Sequence, residues 1–155
     1  SFQKLTQINI DLAFDYFTNH VNTYQVHQQF SKPEFEYLFL NDIMSTYLLM
    51  KDNQMIGFSS FYNAQFVSIE KEELCCELFY IFSTEGTDDD WRDLYSVTLQ
   101  EMKNQNFRYL FTTNLMENAK FIKMYGLTYI CDCYYHLYNY YAYSIKPCEC
   151  ALLIP

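Results

Sequence analysis

The sequence predicts an α/β (α+β) fold, a mixed sheet with helices on both faces. Three observations predict it. Half of the 155 residues are hydrophobic and 20% are aromatic, which excludes a disordered chain. Stretches with apolar residues at helical spacing alternate with stretches patterned as strands. No internal repeat or low-complexity linker divides them, so residues 1–155 read as a single domain long enough to bury a core.

The first element is a short strand over Phe2–Leu5. Leu12, Ala13, Phe14, Phe17 and Val21 then recur at helical spacing from Asn9 onward. Ser31-Lys32-Pro33-Glu34 reads as a helix start, with Ser31 as N-cap and the proline and acid in the first turn. Phe35, Tyr37, Leu38 and Leu40 supply the apolar face of that helix. Thr46–Lys51 and Met55–Asn63 read as a hairpin around Asp52-Asn53-Gln54. Gly57 inside the second arm marks a bulge or a close backbone approach.

A third strand, rich in aromatics, spans Glu72–Ser83. A loop at Thr84–Thr87 leads into a long helix opened by Asp88, Asp89 and Asp90, where the helix dipole favours acids. Arg108–Thr112 is a short strand, and Leu115–Tyr125 is a helix stopped by Gly126. Leu127–Cys131, Tyr134–Tyr143 and Cys150–Ile154 complete the set as strands. This order of elements is that of the Gcn5-related acetyltransferase fold, although order alone carries no function.

Charge and composition narrow the partners. A net charge of −9 with ten Lys plus Arg argues against nucleic acid and anionic membrane surfaces, and suits a cationic peptide. No apolar run reaches the roughly 18 residues of a membrane span, and no signal peptide is visible, so the expected location is cytoplasmic. The six cysteines are then expected to be reduced. Cys131/Cys133 and Cys148/Cys150 are each separated by one residue, a spacing atypical of zinc sites, and no metal is expected.

His20, His27 and His136 show no metal spacing, and no nucleophile elbow or Walker loop occurs. An acyl-CoA enzyme of this fold needs a glycine-rich turn whose N–H groups hold pyrophosphate at a helix N-terminus. Thr84–Asp90 stands at that place with one glycine, no cation and four carboxylates. The expectation is that CoA is not held there. The last stretch, Ala151-Leu152-Leu153-Ile154-Pro155, is apolar and would carry a terminal carboxylate into poorly solvated surroundings, making it a better base. A final strand that merely pairs into the sheet accounts for the same residues.

Three blocks carry a resemblance: Phe58-Ser59-Ser60-Phe61-Tyr62, Asn114-Leu115-Met116-Glu117-Asn118, and Tyr135-His136-Leu137-Tyr138-Asn139-Tyr140. In order and spacing they resemble the C-terminal half of the eukaryotic N-myristoyltransferases (glycylpeptide N-tetradecanoyltransferases), over nearly all of the chain. That resemblance implies a single acetyltransferase-like domain forming a peptide cleft for N-terminal glycine peptides. It implies no permanently bound cofactor, with myristoyl-CoA as co-substrate held by a second half or chain. By the same resemblance the α-carboxylate of Pro155 is the base, and Ser60, Tyr62, Glu77, Asp132 and Ile154 line the peptide site.

Departures from the family accompany it. Cys131 and Cys133 replace the glycines of a Gly-Asp-Gly loop around Asp132, and Glu77 stands where the family has a groove tyrosine. The half expected to bind acyl-CoA is missing from this stretch, so a separate chain or a second copy in a homodimer is expected to supply it. The alternative is an inactive peptide- or partner-binding module. An ordinary single-domain acyltransferase holding CoA in another way ranks behind both.

Overall fold

The computed structural model describes residues 1–64, 74–83, 87–132 and 144–153. Its elements run β1 (Phe2–Lys4), α1 (Ile10–Val21), β2 (Val26–His27), α2 (Lys32–Phe39), β3 (Met44–Lys51), β4 (Gln54–Asn63), β5 (Cys75–Ser83), α3 (Asp88–Asn104), β6 (Tyr109–Phe111), α4 (Asn118–Tyr125) and β7 (Cys150–Ala151). Among the described residues five strands form a mixed sheet in the order β1-β3-β4-β5-β6, in which the β5–β6 pair is parallel and the others antiparallel. A second sheet pairs β2 with β7 in parallel. This is the α/β mixed-sheet architecture the sequence predicts.

The helices cover both sheet faces. On one face, Phe17 of α1 packs against Phe58, Tyr80 and Phe82, and Phe39 of α2 against Phe58. On the other, α3 lies over β4, where Thr98 donates a hydrogen bond to Ser59 at 2.9 Å and Leu94 packs on Gly57. Aromatic rings at these distances add offset and edge-on contacts to plain area burial.

Local chemistry explains most boundaries. Glu34 accepts from the Ser31 N–H at 2.7 Å, the returning arm of a capping box at the start of α2. Asp52 and Asn53 close the β3–β4 hairpin with φ of 49° and 63°, the left-handed pair that a two-residue turn needs. Thr87 caps α3 by accepting the Asp90 N–H at 3.2 Å. Gly126 ends α4 with φ of 63°.

Several expectations need correction. Tyr37 is 84% exposed and Leu12 45%, so α2 buries Phe35 and Phe39, and α1 buries Ile10, Ala13, Phe17 and Val21. The helix expected from Leu115 begins at Asn118, because Met116 takes a φ of 53° and turns the chain. Among the described residues Leu127–Cys131 is not part of a strand. Tyr129 and Ile130 are exposed there. Residues 72–73, 84–86, 133–143 and 154–155 lie outside the described residues, and with them the expected strand Tyr134–Tyr143 and the end of the expected last strand.

Candidate functional site

The site is built around an irregularity in the β4–β5 ladder. Ser59 pairs with Ile81 and Phe61 with Leu78, so the single residue Ser60 faces two, Phe79 and Tyr80. Such a bulge places the two extra side chains on one face. Both rings accordingly lie about 6 Å from Phe39, at 6.0 and 5.9 Å. The bulge re-phases the rest of β5 and brings Glu77 to the same face as Tyr62. Their side chains meet across the ladder, with the Tyr62 hydroxyl donating to Glu77 Oε2 at 2.8 Å.

Burial, then the neighbouring Glu77 carboxylate, raise the Tyr62 pKa, so its hydroxyl stays a donor. Ser60 is fully buried. Its Oγ accepts the Tyr80 N–H at 3.1 Å and so holds the bulge from inside.

The segment Pro147–Leu153 crosses this same face. Tyr80 donates its hydroxyl to the Ala151 carbonyl at 3.1 Å. The Gln25 N–H donates to Glu149 O at 3.0 Å, and the Met116 N–H is shared between Pro147 O and Cys150 O at 3.1 and 3.2 Å. Leu153 is buried, so the chain is anchored two residues short of Pro155.

Of the six site residues expected from the sequence, the structure brings Tyr62 and Glu77 into contact and sets Ser60 beneath them. Asp132 lies on an exposed stretch after α4. Ile154 and Pro155 lie outside the described residues. Two hollows, of about 300 and 400 Å³, lie along β1–α2 and beside α2, and neither includes these residues.

A second cluster escapes sequence reading. Tyr24 donates a hydrogen bond to the Glu117 carboxylate. His20 stacks on Phe82 with ring centroids 4.1 Å apart and sets Nε2 3.1 Å from the Tyr24 hydroxyl. Burial and the bond to Glu117 raise the Tyr24 pKa. Burial also pushes the Glu117 carboxyl upward, but the His20 imidazole 3.9 Å away and the bond from Tyr24 outweigh it and leave the group below its ordinary value. Glu117 belongs to the Leu-Met-Glu-Asn block, which was the one available signal; its partners are too far away in sequence to pair by pattern.

At the start of α3, Asp90 pairs with Lys51 at 3.3 Å and accepts from the Thr87 hydroxyl, so the acidic turn is tied to its own chain. Burial pushes the Cys76 thiol up to about 12, which removes it as a nucleophile at neutral pH. Among the described residues no group of His, Cys, Asp and Glu is placed to hold a metal. No described helix is long and apolar enough to cross a membrane.

Comparison with known proteins bears on this arrangement. Residues 1–150 match the family described as Myristoyl-CoA:protein N-myristoyltransferase, C-terminal domain. No curated protein sequence matches the chain. Among solved structures, a ribosomal-protein-alanine N-acetyltransferase from Brucella melitensis biovar Abortus 2308 is similar with a TM-score of 0.71 at 11% identity, covering 89% of this chain and 98% of that one. A predicted acetyltransferase from Clostridium acetobutylicum, solved with acetyl-CoA, gives 0.72 at 13% identity over 89% and 95%. An aminoglycoside acetyltransferase from an uncultured soil metagenomic sample gives 0.67 at 11% over 89% and 96%. At these identities the likeness establishes the acetyltransferase fold.

Proposed function

The chain belongs to the N-myristoyltransferase C-terminal domain family, and from that premise we propose that it is the peptide-binding half of an N-terminal acyl transfer system. The acyltransferase-like domain follows from family and fold. The finer reading is transfer of a myristoyl group from myristoyl-CoA to the amine of an N-terminal glycine. A substrate ammonium gives a proton to a carboxylate, the freed amine attacks the thioester carbonyl, and the C–S bond breaks as the departing CoA sulfur takes the second amine proton. In this reading the carboxylate is that of Pro155.

The observation that carries the proposal is the seat of Pro147–Leu153 on the sheet face that also holds the Tyr62–Glu77 pair. In this reading a peptide laid along that face meets Tyr62 and Glu77, and Asp132 and Ile154 are carried to the peptide site by the family resemblance. Ser60 serves the cleft by fixing the bulge. An acidic face suits cationic peptides.

The acyl-CoA site comes from a second half or from a second copy of the chain. The start of α3 supports this, because Thr87 already caps it and Asp88, Asp89 and Asp90 would repel a phosphate. The same observation favours a second reading, capture of glycine peptides without turnover. Cys76, Cys131, Cys148 and Cys150 are free thiols, which suits a reducing compartment such as the cytosol.

The test is to incubate the chain with myristoyl-CoA and an N-terminal glycine peptide, alone and with an acyl-CoA-binding half, and to follow CoA release. Turnover in either arm supports transfer. Peptide binding without turnover in both arms leaves the capture reading, and no peptide binding overturns both. Extending the chain beyond Pro155 should abolish transfer and spare peptide binding. Transfer that survives the extension removes Pro155 as the base.

A further inference from the structure

The segment leading to Pro155 is held from two sides that are distant in sequence. Gln25 and the β2 strand hold one side, and the Met116 N–H holds the other. Tyr24 precedes Gln25 and Glu117 follows Met116, and these two neighbours are hydrogen-bonded to each other. The two walls of the seat are thus tied together by one side-chain bond between residues 93 positions apart.

We infer that the Tyr24–Glu117 bond is a clasp that keeps Pro147–Leu153 seated on the sheet, with Glu117 as a positioning residue for the segment. The roles of its members are fixed by chemistry. A carboxylate only accepts, so the tyrosine gives its single proton to Glu117, and His20 Nε2 is left to donate to the tyrosine oxygen. Stacking on Phe82 of β5 holds the imidazole in line and links the clasp to the five-stranded sheet.

The clasp stands on this geometry alone. Its consequence for transfer, the placing of Ile154 and Pro155, rests on the proposed function.

Amide hydrogen exchange on the whole chain, without substrate, separates the two. Tyr24→Phe and Glu117→Ala should each speed exchange at Gln25 and Met116 by about tenfold or more, and Leu48 and Phe58 in the β3–β4 ladder by less than about twofold. Glu117→Gln should retain most of the protection, since its amide oxygen still accepts. The double variant Tyr24→Phe/Glu117→Ala should be no worse than the poorer single, because both remove one interaction.

Wild-type exchange at Gln25 and Met116 in Tyr24→Phe overturns the clasp. So does a uniform rise at all four amides, which would report global loss of stability. If Glu117→Ala does not fold, Tyr24→Phe decides. A chain inactive in acyl transfer that still shows the selective pattern keeps the clasp and loses the proposed function.

Discussion

Ser60 and Tyr80 fix the geometry of the candidate cleft through one hydrogen bond, in which the Ser60 Oγ accepts the Tyr80 backbone N–H at 3.1 Å. Both residues are fully buried, and the bond lies at the irregularity between the Ser59–Ile81 and Phe61–Leu78 pairs. Ser60→Ala should remove this buried hydrogen bond and cost about 0.5–1.5 kcal/mol. A urea midpoint lowered with an unchanged slope is the expected outcome. An unshifted midpoint would mean that the bulge holds without the serine.

The second prediction concerns Gly57. A Cβ added there would lie 3.1 Å from Leu49 Cβ and 3.3 Å from Leu94 Cδ2. The Leu94 methyl can swing away, but Leu49 Cβ is bonded directly to the β3 backbone. Gly57→Ala should destabilise the fold by about 1–3 kcal/mol through overpacking. Leu94→Ala in the same chain should not restore the loss, because the contact with Leu49 remains. Thermal melts of the single and double variants check both statements.

Local chemistry made much of this fold legible. Ser31 and Glu34 announce a helix start, Gly126 a helix stop, and Gly57 a close approach, each through one residue's own stereochemistry. The bulge was not legible, because no residue type at 79 or 80 demands a shift of register. The β2–β7 pair has two residues in each strand and joins distant parts of the chain, so no periodicity marks it. Leu127–Cys131 misled in the opposite direction, since its apolar pattern predicts a strand where Tyr129 and Ile130 face solvent. Of the site, Tyr62 and Glu77 were named by resemblance, but their contact depends on the bulge. His20 and Tyr24 were invisible because their partner lies on another element.

The third prediction is a pH dependence at Glu117. Burial raises its pKa, but the nearby His20 imidazole and the bond from Tyr24 prevail and hold it below the ordinary value. A carboxyl with a depressed folded-state pKa stabilises the fold fully above its unfolded pKa, about 4.3 for Glu. That contribution is lost as pH falls through the folded value. The stability gap between wild type and Glu117→Gln should thus be constant near neutrality and close on acidification below about pH 4. Urea titrations across the acid range measure it, and a gap that widens there would reverse the assigned direction.

The last prediction separates recognition from support at Glu77. Its carboxylate accepts one hydrogen bond from Tyr62, and both side chains are only partly buried. Removing the charge alone should leave the strand pair largely intact, since a glutamine oxygen still accepts from the tyrosine. Glu77→Gln should then weaken binding of a glycine peptide that carries a lysine within reach of this face by about threefold to fivefold. A peptide of equal length with a neutral residue in that place should bind as before. Raising the salt should shrink the difference between the two peptides, because the pair is solvent-accessible. Titration of both peptides at low and high salt tests this. Equal losses for the two peptides would mean that Glu77 acts only through Tyr62 and the β4–β5 pairing, and the acidic groove would then have to be built from other carboxylates.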